Sequence, residues 1–194
     1  MTTLQILKKD AVLVAIDFQE KLMPAIKDHE TLEETTVKLI KGCRDLNVPI
    51  LITQQYTKGL GPTTARITEA ITADLFDGIL RSAEYTPIEK TTFSAMKEPE
   101  FVKAITNCGK KTVIICGIEA HICVQQTALD LLEAGYQVFL VYDCVASRKE
   151  SDKKQSRRRL AAAGAVVTTY ESVLYEILGG AKEVGFKQIS AIVK

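Results

Sequence analysis

The chain has 194 residues, with 25 Lys and Arg against 24 Asp and Glu for a formal net charge of +1. That balance excludes a global electrostatic role in holding nucleic acid or an anionic membrane, and 46% hydrophobic with 25% charged residues describes an ordinary globular protein. No apolar run approaches the roughly 18–20 residues needed to cross a bilayer.

The length suits one α/β domain over residues 1–194. Five cysteines, an odd number without framework spacing, point to reduced thiols in a cytoplasmic compartment. The N-terminal charges stand directly before a core strand with no small-residue cleavage site, so no signal peptide is expected.

Ala11 to Ile16 (AVLVAI) is an apolar run that predicts a strand covered on both faces, and it leads into Asp17-Phe18-Gln19. Polar residues straight after such a strand sit at the carboxyl edge, where open α/β sheets place their sites. Thr31 to Leu46 follows with helical spacing at Leu32, Val37, Leu39, Ile40 and Cys43. Val48 to Thr53 is the next predicted strand, ending in Gln54-Gln55-Tyr56 before a loop rich in Gly and Pro. Ile67 to Phe76 reads as a short helix and loop. Ala83 to Ile88 reads as a weak strand leading to Glu89-Lys90-Thr91-Thr92-Phe93-Ser94, and Pro99 to Asn107 as a helix opened by its proline.

Thr112 to Gly135 is the stretch around which the rest is organised. Val113 to Cys116 is a buried strand, Gly117 breaks it, and helical spacing from Ile122 to Gly135 predicts a helix beginning close to Cys123. A thiol in the first helical turn feels the positive end of the dipole and has free amides beside it, which predicts a lowered pKa and donors for an oxyanion. The same residue reads equally well as a buried structural cysteine. Tyr136 to Tyr142 is a further strand ending at Asp143-Cys144. Lys149 to Ala163 is a charged helix, Ala165 to Thr169 a last short strand, and Ser172 to Leu178 and Glu183 to Val193 are closing helices.

Strands alternating with helices predict βαβ units: a three-layer αβα, doubly wound, Rossmann-like fold with a mostly parallel six-stranded sheet and helices on both faces. Asp17, Gln54, Lys90, Cys123 and Asp143 each follow an apolar or β-rich run, so one sheet edge can gather them.

Cys123 needs a base, a cation for the resulting charge and donors for a tetrahedral oxyanion. Asp17 can be the base and Lys90 the cation. His29 lies in a charged stretch and reads as surface. His121, two residues before Cys123, faces solvent or substrate more readily than it forms a Cys–His dyad. Gln19, Gln54, Gln55, Tyr56, Phe93 and His121 are candidates to line a substrate pocket, though solvated loop residues or plain core would explain them too. Cys43, Cys108, Cys116 and Cys144 read as buried spectators, with Cys144 nearest to a pocket. The basic run from Lys153 to Arg159 reads as a charged helix face. Gly59, Gly61 and Gly117 are not spaced as a dinucleotide fingerprint.

The order D-F-Q, K-T-T-F-S and G-I-E-A-H-I-C-V, each at a strand end, resembles the isochorismatase-like cysteine hydrolases over roughly Asp10 to Leu178. The Gln-Gln-Tyr…Lys-Gly-Leu-Gly-Pro-Thr stretch and the Ser-Arg after Asp143 look closest to the isochorismatase domain-containing proteins of that superfamily. The resemblance implies a triad of Asp17, Lys90 and Cys123, a cis peptide at Ile118–Glu119, and an oxyanion hole from the amides of Glu119 and Cys123. It implies hydrolysis of a small amide-like C–N bond through a covalent intermediate on Cys123, no cofactor, and a homo-oligomer of two or more copies.

Two departures narrow it. Where nicotinamidases carry an Asp-x-His metal motif this chain reads Gln54-Gln55-Tyr56, with no histidine between His29 and His121, so no metal is expected. Isochorismate-cleaving members lack the cysteine, so Cys123 argues against vinyl-ether hydrolysis. The rival readings are a catalytically silent binding module on the same fold and a redox-sensing thiol protein. The second lacks a C-x-x-C pair to resolve a disulfide.

Overall fold

An unbroken apolar run is stable as a strand only where both of its faces are covered, and Ala11–Ile16 (β1) is buried at every position. The computed structural model describes residues 5–72 and 85–194. In chain order, β1 is followed by His29–Asp45 (α1), Ile50–Gln55 (β2), the single turn Thr57–Leu60 (α2) and Ala65–Thr72 (α3). Ile88–Lys90 (β3), Pro99–Asn107 (α4), Thr112–Ile118 (β4) and Gln125–Glu133 (α5) come next. The chain closes with Gln137–Ala146 (β5), Glu150–Ala162 (α6), Val166–Thr168 (β6), Tyr170–Leu178 (α7) and Phe186–Val193 (α8).

The six strands form one sheet in the order β3-β2-β1-β4-β5-β6, and every pairing is parallel. Side chains alternate across each strand, so the sheet has two cores. Leu13, Ala15, Ile114, Cys116, Phe139 and Val141 pack with Leu39, Ile40 and Cys43 of α1 and Val173 and Leu174 of α7. Val12, Val14, Val113, Ile115, Val138 and Leu140 pack on the other face with Phe101 of α4, Ala128 and Leu131 of α5 and Leu160 of α6. The winding reverses between β1 and β4. The crevice above their carboxyl ends is therefore where a doubly wound sheet opens a site.

The sequence reading differs from this structure at several points. β5 runs on to Ala146, and Lys90 is the last residue of β3 instead of lying beyond it. Of the Ile67 to Phe76 stretch, the helix is Ala65–Thr72, and the remainder lies outside the described residues, as do Ala83 and Glu84. Cys144, expected nearest to a pocket, is fully buried in the core shared with Cys43 and Cys116, whereas Cys123 belongs to the core on the other face. The register between β4 and β5 shifts between Ile115 and Gly117, which pair with Leu140 and Val145, and this irregularity breaks the strand alternation and turns Cys144 toward the α1 side. No helix among the described residues is long and apolar enough to cross a membrane.

Candidate active site

Asp17 directly follows β1 with φ of 55°, a left-handed conformation that Asp tolerates better than most residues. One carboxylate oxygen, Oδ1, accepts from Thr53 Oγ1 at 2.7 Å. The other, Oδ2, lies 2.7 Å from Lys90 Nζ, and neither side chain is exposed at all. A buried ion pair offsets its dehydration only with close geometry and further hydrogen bonds, and both are present. Lys90 Nζ also donates to Gln55 Oε1 at 2.6 Å and to the Thr92 carbonyl at 3.3 Å.

The turn after Lys90 is held by Glu98. Its Oε1 accepts from the amides of Thr91 and Thr92 and from Thr92 Oγ1, at 2.9 to 3.0 Å. Those amide bonds hold the Glu98 carboxyl below its usual range. Further along, Ser94 Oγ donates to Asp130 Oδ2 at 2.6 Å, and the Ala95 amide donates to Thr127 Oγ1 at 2.9 Å, both acceptors on α5. The K-T-T-F-S stretch is thereby pinned to the helix that follows Cys123.

Gly117 brings β4 hard against β1. Its φ is 134°, and a Cβ there would stand 2.3 Å from the Ile16 carbonyl oxygen. The next peptide, Ile118–Glu119, is cis. The Glu119 carbonyl then accepts from the amides of Ile122 and Val124, at 3.0 and 3.3 Å, and a π-helical turn over Ala120–Val124 leads into α5. Cys123 sits in that turn, two residues before α5 begins, and is 7% exposed.

The Asp17 carboxylate and the Lys90 ammonium both act on the Cys123 thiol, through their charge and through side-chain hydrogen bonding. Burial pushes it up to about 12; the Asp17 carboxylate adds to the rise and the Lys90 ammonium opposes it. This reverses the lowered value expected for a thiol at a helix start. Dehydration and a neighbouring carboxylate outweigh the helix dipole, which acts only over the first turn.

Around these three side chains the other sequence-predicted residues take different places. Gln19 is fully buried. Its Oε1 accepts from the Gln55 amide at 2.7 Å, and its Nε2 donates to the carbonyls of Gln55 and Gly61 at 2.9 and 2.7 Å. Gln54 Nε2 donates to Thr63 Oγ1 and Tyr85 Oη. Both amides brace loops. Tyr56 and Phe93 flank the turn around Lys90 and are 52% and 54% exposed. His121 Nδ1 is 2.9 Å from Ser147 Oγ, and its Nε2 is 3.7 Å from Asp152. Among the described residues no three His, Cys, Asp or Glu side chains converge on a cation site.

Sequence reasoning missed Thr53 and Glu98, and it picked out Arg148 only as part of the family resemblance, with no role. Arg148 donates its amide and Nε to the Glu119 carboxylate at 2.9 to 3.1 Å, tying the β5–α6 loop to the residue after the cis peptide. The signal available for Thr53 was its place two residues before Gln55 on one face of β2.

The fold and the motif order together define an isochorismatase-type α/β domain, and the isochorismatase domain matches residues 11–172. The chain belongs to the isochorismatase family, a hydrolase family. Isochorismatase domain-containing protein 2 of Danio rerio is 36% identical over 185 residues, covering 95% of this chain and 87% of that one. Among solved structures, one described as MAR1 ribonuclease from Caenorhabditis elegans is 35% identical with a TM-score of 0.86, covering 97% of this chain and 92% of that one. YcaC from Pseudomonas aeruginosa, solved with hexane-2,5-diol and covalent acrylamide, is 25% identical with a TM-score of 0.87, covering 100% and 92%.

Proposed function

We propose that this protein is a cysteine hydrolase that cleaves a small amide-like C–N bond through an acyl intermediate on Cys123. The observation that carries the reading is the fully buried Asp17–Lys90 pair with the Cys123 thiol against both partners.

Burial and the Asp17 carboxylate raise the thiol, so little thiolate stands ready near pH 7. Attack therefore has to be coupled to proton removal. Sγ bonds to the carbonyl carbon as its proton passes to the Asp17 carboxylate, and the carbonyl π electrons move onto oxygen. The amides of Glu119 and Cys123 are the donors for that oxyanion. Collapse breaks the C–N bond, and the leaving amine takes the proton from Asp17. Water then attacks the thioester and gives a proton to Asp17, which returns it to sulfur as the C–S bond breaks. The products are a carboxylic acid and an amine. Lys90 stays charged throughout and stabilises Asp17 before proton transfer and sulfur during it.

The covalent acrylamide of the YcaC relative supports the reading, since acrylamide is an electrophile that adds to thiols. The redox-sensing alternative is disfavoured because the sequence has no C-x-x-C pair to resolve a disulfide. The reading carries with it a small-molecule substrate, a reducing cytoplasmic setting and the homo-oligomeric state that the family resemblance implies.

The test is turnover of a panel of small amides and carbamoyl compounds by wild type and Cys123→Ala, with acyl adducts followed by intact mass. Turnover and adduct on wild type alone are expected. Because the C. elegans relative is described as a ribonuclease, RNA belongs in the panel. Cleavage of RNA by both proteins alike, with no amide turned over, would replace the proposal.

A further inference from the structure

We infer that Gln55 is the positioning residue for Lys90: a neutral amide that fixes the ammonium between Asp17 and Cys123 without diluting its charge. The inference rests on the catalytic reading above, and its geometry is independent of any substrate.

Gln55 and Lys90 are register partners across β2 and β3. Gln55 Oε1 accepts from Nζ at 2.6 Å, while Gln55 Nε2 donates to the Thr91 carbonyl at 2.9 Å. An ammonium only donates and a carbonyl only accepts, so these two bonds leave the amide a single orientation. Its backbone is equally constrained, because the Gln19 side chain pairs with both its N–H and its C=O. Gln19 lies two residues beyond Asp17, so the strand end that supplies the base also grips the residue that holds the cation.

β2 thus serves both members of the pair from one face. Thr53 donates to Asp17, and Gln55, two residues on, accepts from Lys90. Nζ has three donors and three oxygen acceptors: Asp17 at 2.7 Å, Gln55 at 2.6 Å and the Thr92 carbonyl at 3.3 Å. The bond to Thr92 is the weakest of the three. When negative charge develops on Sγ, that hydrogen is the one that can turn to it, while Asp17 and Gln55 keep Nζ in place. A glutamate at position 55 would fit the same space but would add a second carboxylate beside Lys90 and weaken its pull on the thiolate.

The experiment reads alkylation of Cys123 by iodoacetamide, followed at the Cys123 peptide from about pH 6 to about pH 10, where the rate tracks thiolate. The proteins are wild type, Gln55→Glu, Gln55→Leu, Lys90→Met and the Gln55→Leu/Lys90→Met double variant. Gln55→Glu is expected to slow alkylation about tenfold across that interval and by more than Gln55→Leu does, because it adds a carboxylate beside Lys90, which loss of packing alone would not do. Gln55→Leu is expected to slow wild type but add nothing in the Lys90→Met background, the signature of action through Lys90. Wild-type rates and profile in both Gln55 variants, or equal slowing by Gln55→Leu with and without Lys90, would overturn the inference. If Lys90→Met fails to fold, the excess slowing by Gln55→Glu over Gln55→Leu decides alone. Turnover by Cys123→Ala reports on the catalytic reading separately, since alkylation of Cys123 needs no substrate.

Discussion

Asp17 Oδ2 and Lys90 Nζ meet at 2.7 Å with no exposure of either side chain, although 73 positions separate them in the chain (90 − 17). The pair acts on Cys123 in opposite senses. Its carboxylate holds the thiol protonated, and its ammonium favours the thiolate. Asp17→Asn should therefore separate reactivity from catalysis. With the carboxylate gone, the thiol falls from about 12, and iodoacetamide should alkylate Cys123 faster at a fixed pH near 8. Turnover should fall by about 10² to 10⁴, because no base remains to take the proton. Measured side by side, faster alkylation with lost turnover supports Asp17 as base. Slower alkylation would contradict the electrostatic account.

The turn carrying Lys90 should be acid-sensitive through Glu98. Its carboxyl is held below the usual range by the amides of Thr92 and Thr91. A folded-state value below the unfolded one contributes stability above the unfolded value, and that contribution is lost as pH falls through the folded one. Wild type should melt higher than Glu98→Gln at neutral pH, and the gap should close below about pH 4.5, the ordinary carboxyl range. Thermal melts of both proteins across that interval test it; a gap that stays constant to low pH would show that the charge of Glu98 contributes nothing.

Much of the fold was legible because burial on both faces leaves a mark in one dimension. AVLVAI and VIIC are apolar at every position, and they form the two central strands, β1 and β4. Asp17, Lys90 and Cys123 stood out as polar residues at or beyond strand ends, and the structure brings those three together. What stayed hidden depends on the third dimension. Nothing local tells that Thr53 and Gln55 face Asp17 and Lys90, since this follows from the register of β2 between β1 and β3. An irregularity in the β4–β5 register turned Cys144 to the opposite core from Cys123, and such a bulge is invisible to hydrophobic periodicity. The raised thiol is also a packing property. A helix start read from sequence supplies the dipole, whereas the dehydration that outweighs it comes from residues far along the chain.

The approach of β4 to β1 predicts that Gly117→Ala is disproportionately damaging. The added methyl would lie 2.3 Å from the Ile16 carbonyl oxygen and 2.7 Å from Ile16 Cβ, and the backbone would have to hold φ of 134°. Neither neighbour is a flexible side-chain end that can move aside. The expected loss is about 3 kcal/mol in urea unfolding. Gly135→Ala is the control, because nothing lies within 4 Å of a Cβ there, and only its φ of 82° opposes the change. Equal destabilisation by the two would mean that the close approach is not what Gly117 is for.

Arg148 offers a way to perturb the site without touching its three central side chains. It grips the Glu119 carboxylate through both its amide and Nε, and its side chain is 61% exposed. The arginine end of this pair is open to solvent although the Glu119 side chain is only 12% exposed, so Arg148→Met should lower Tm by no more than a few degrees. Glu119, however, follows the cis peptide, and its carbonyl closes the turn that carries Cys123. If its amide is an oxyanion donor, loosening it should lower kcat about tenfold with KM little changed, because the interaction is made in the transition state. Raising the salt concentration should reproduce part of the loss in wild type, since the Arg148 end of the pair is open to solvent, and should have less effect on Arg148→Met. A fall in Tm as large as the fall in kcat would assign Arg148 to the fold. Unchanged kinetics would remove Glu119 from the oxyanion site.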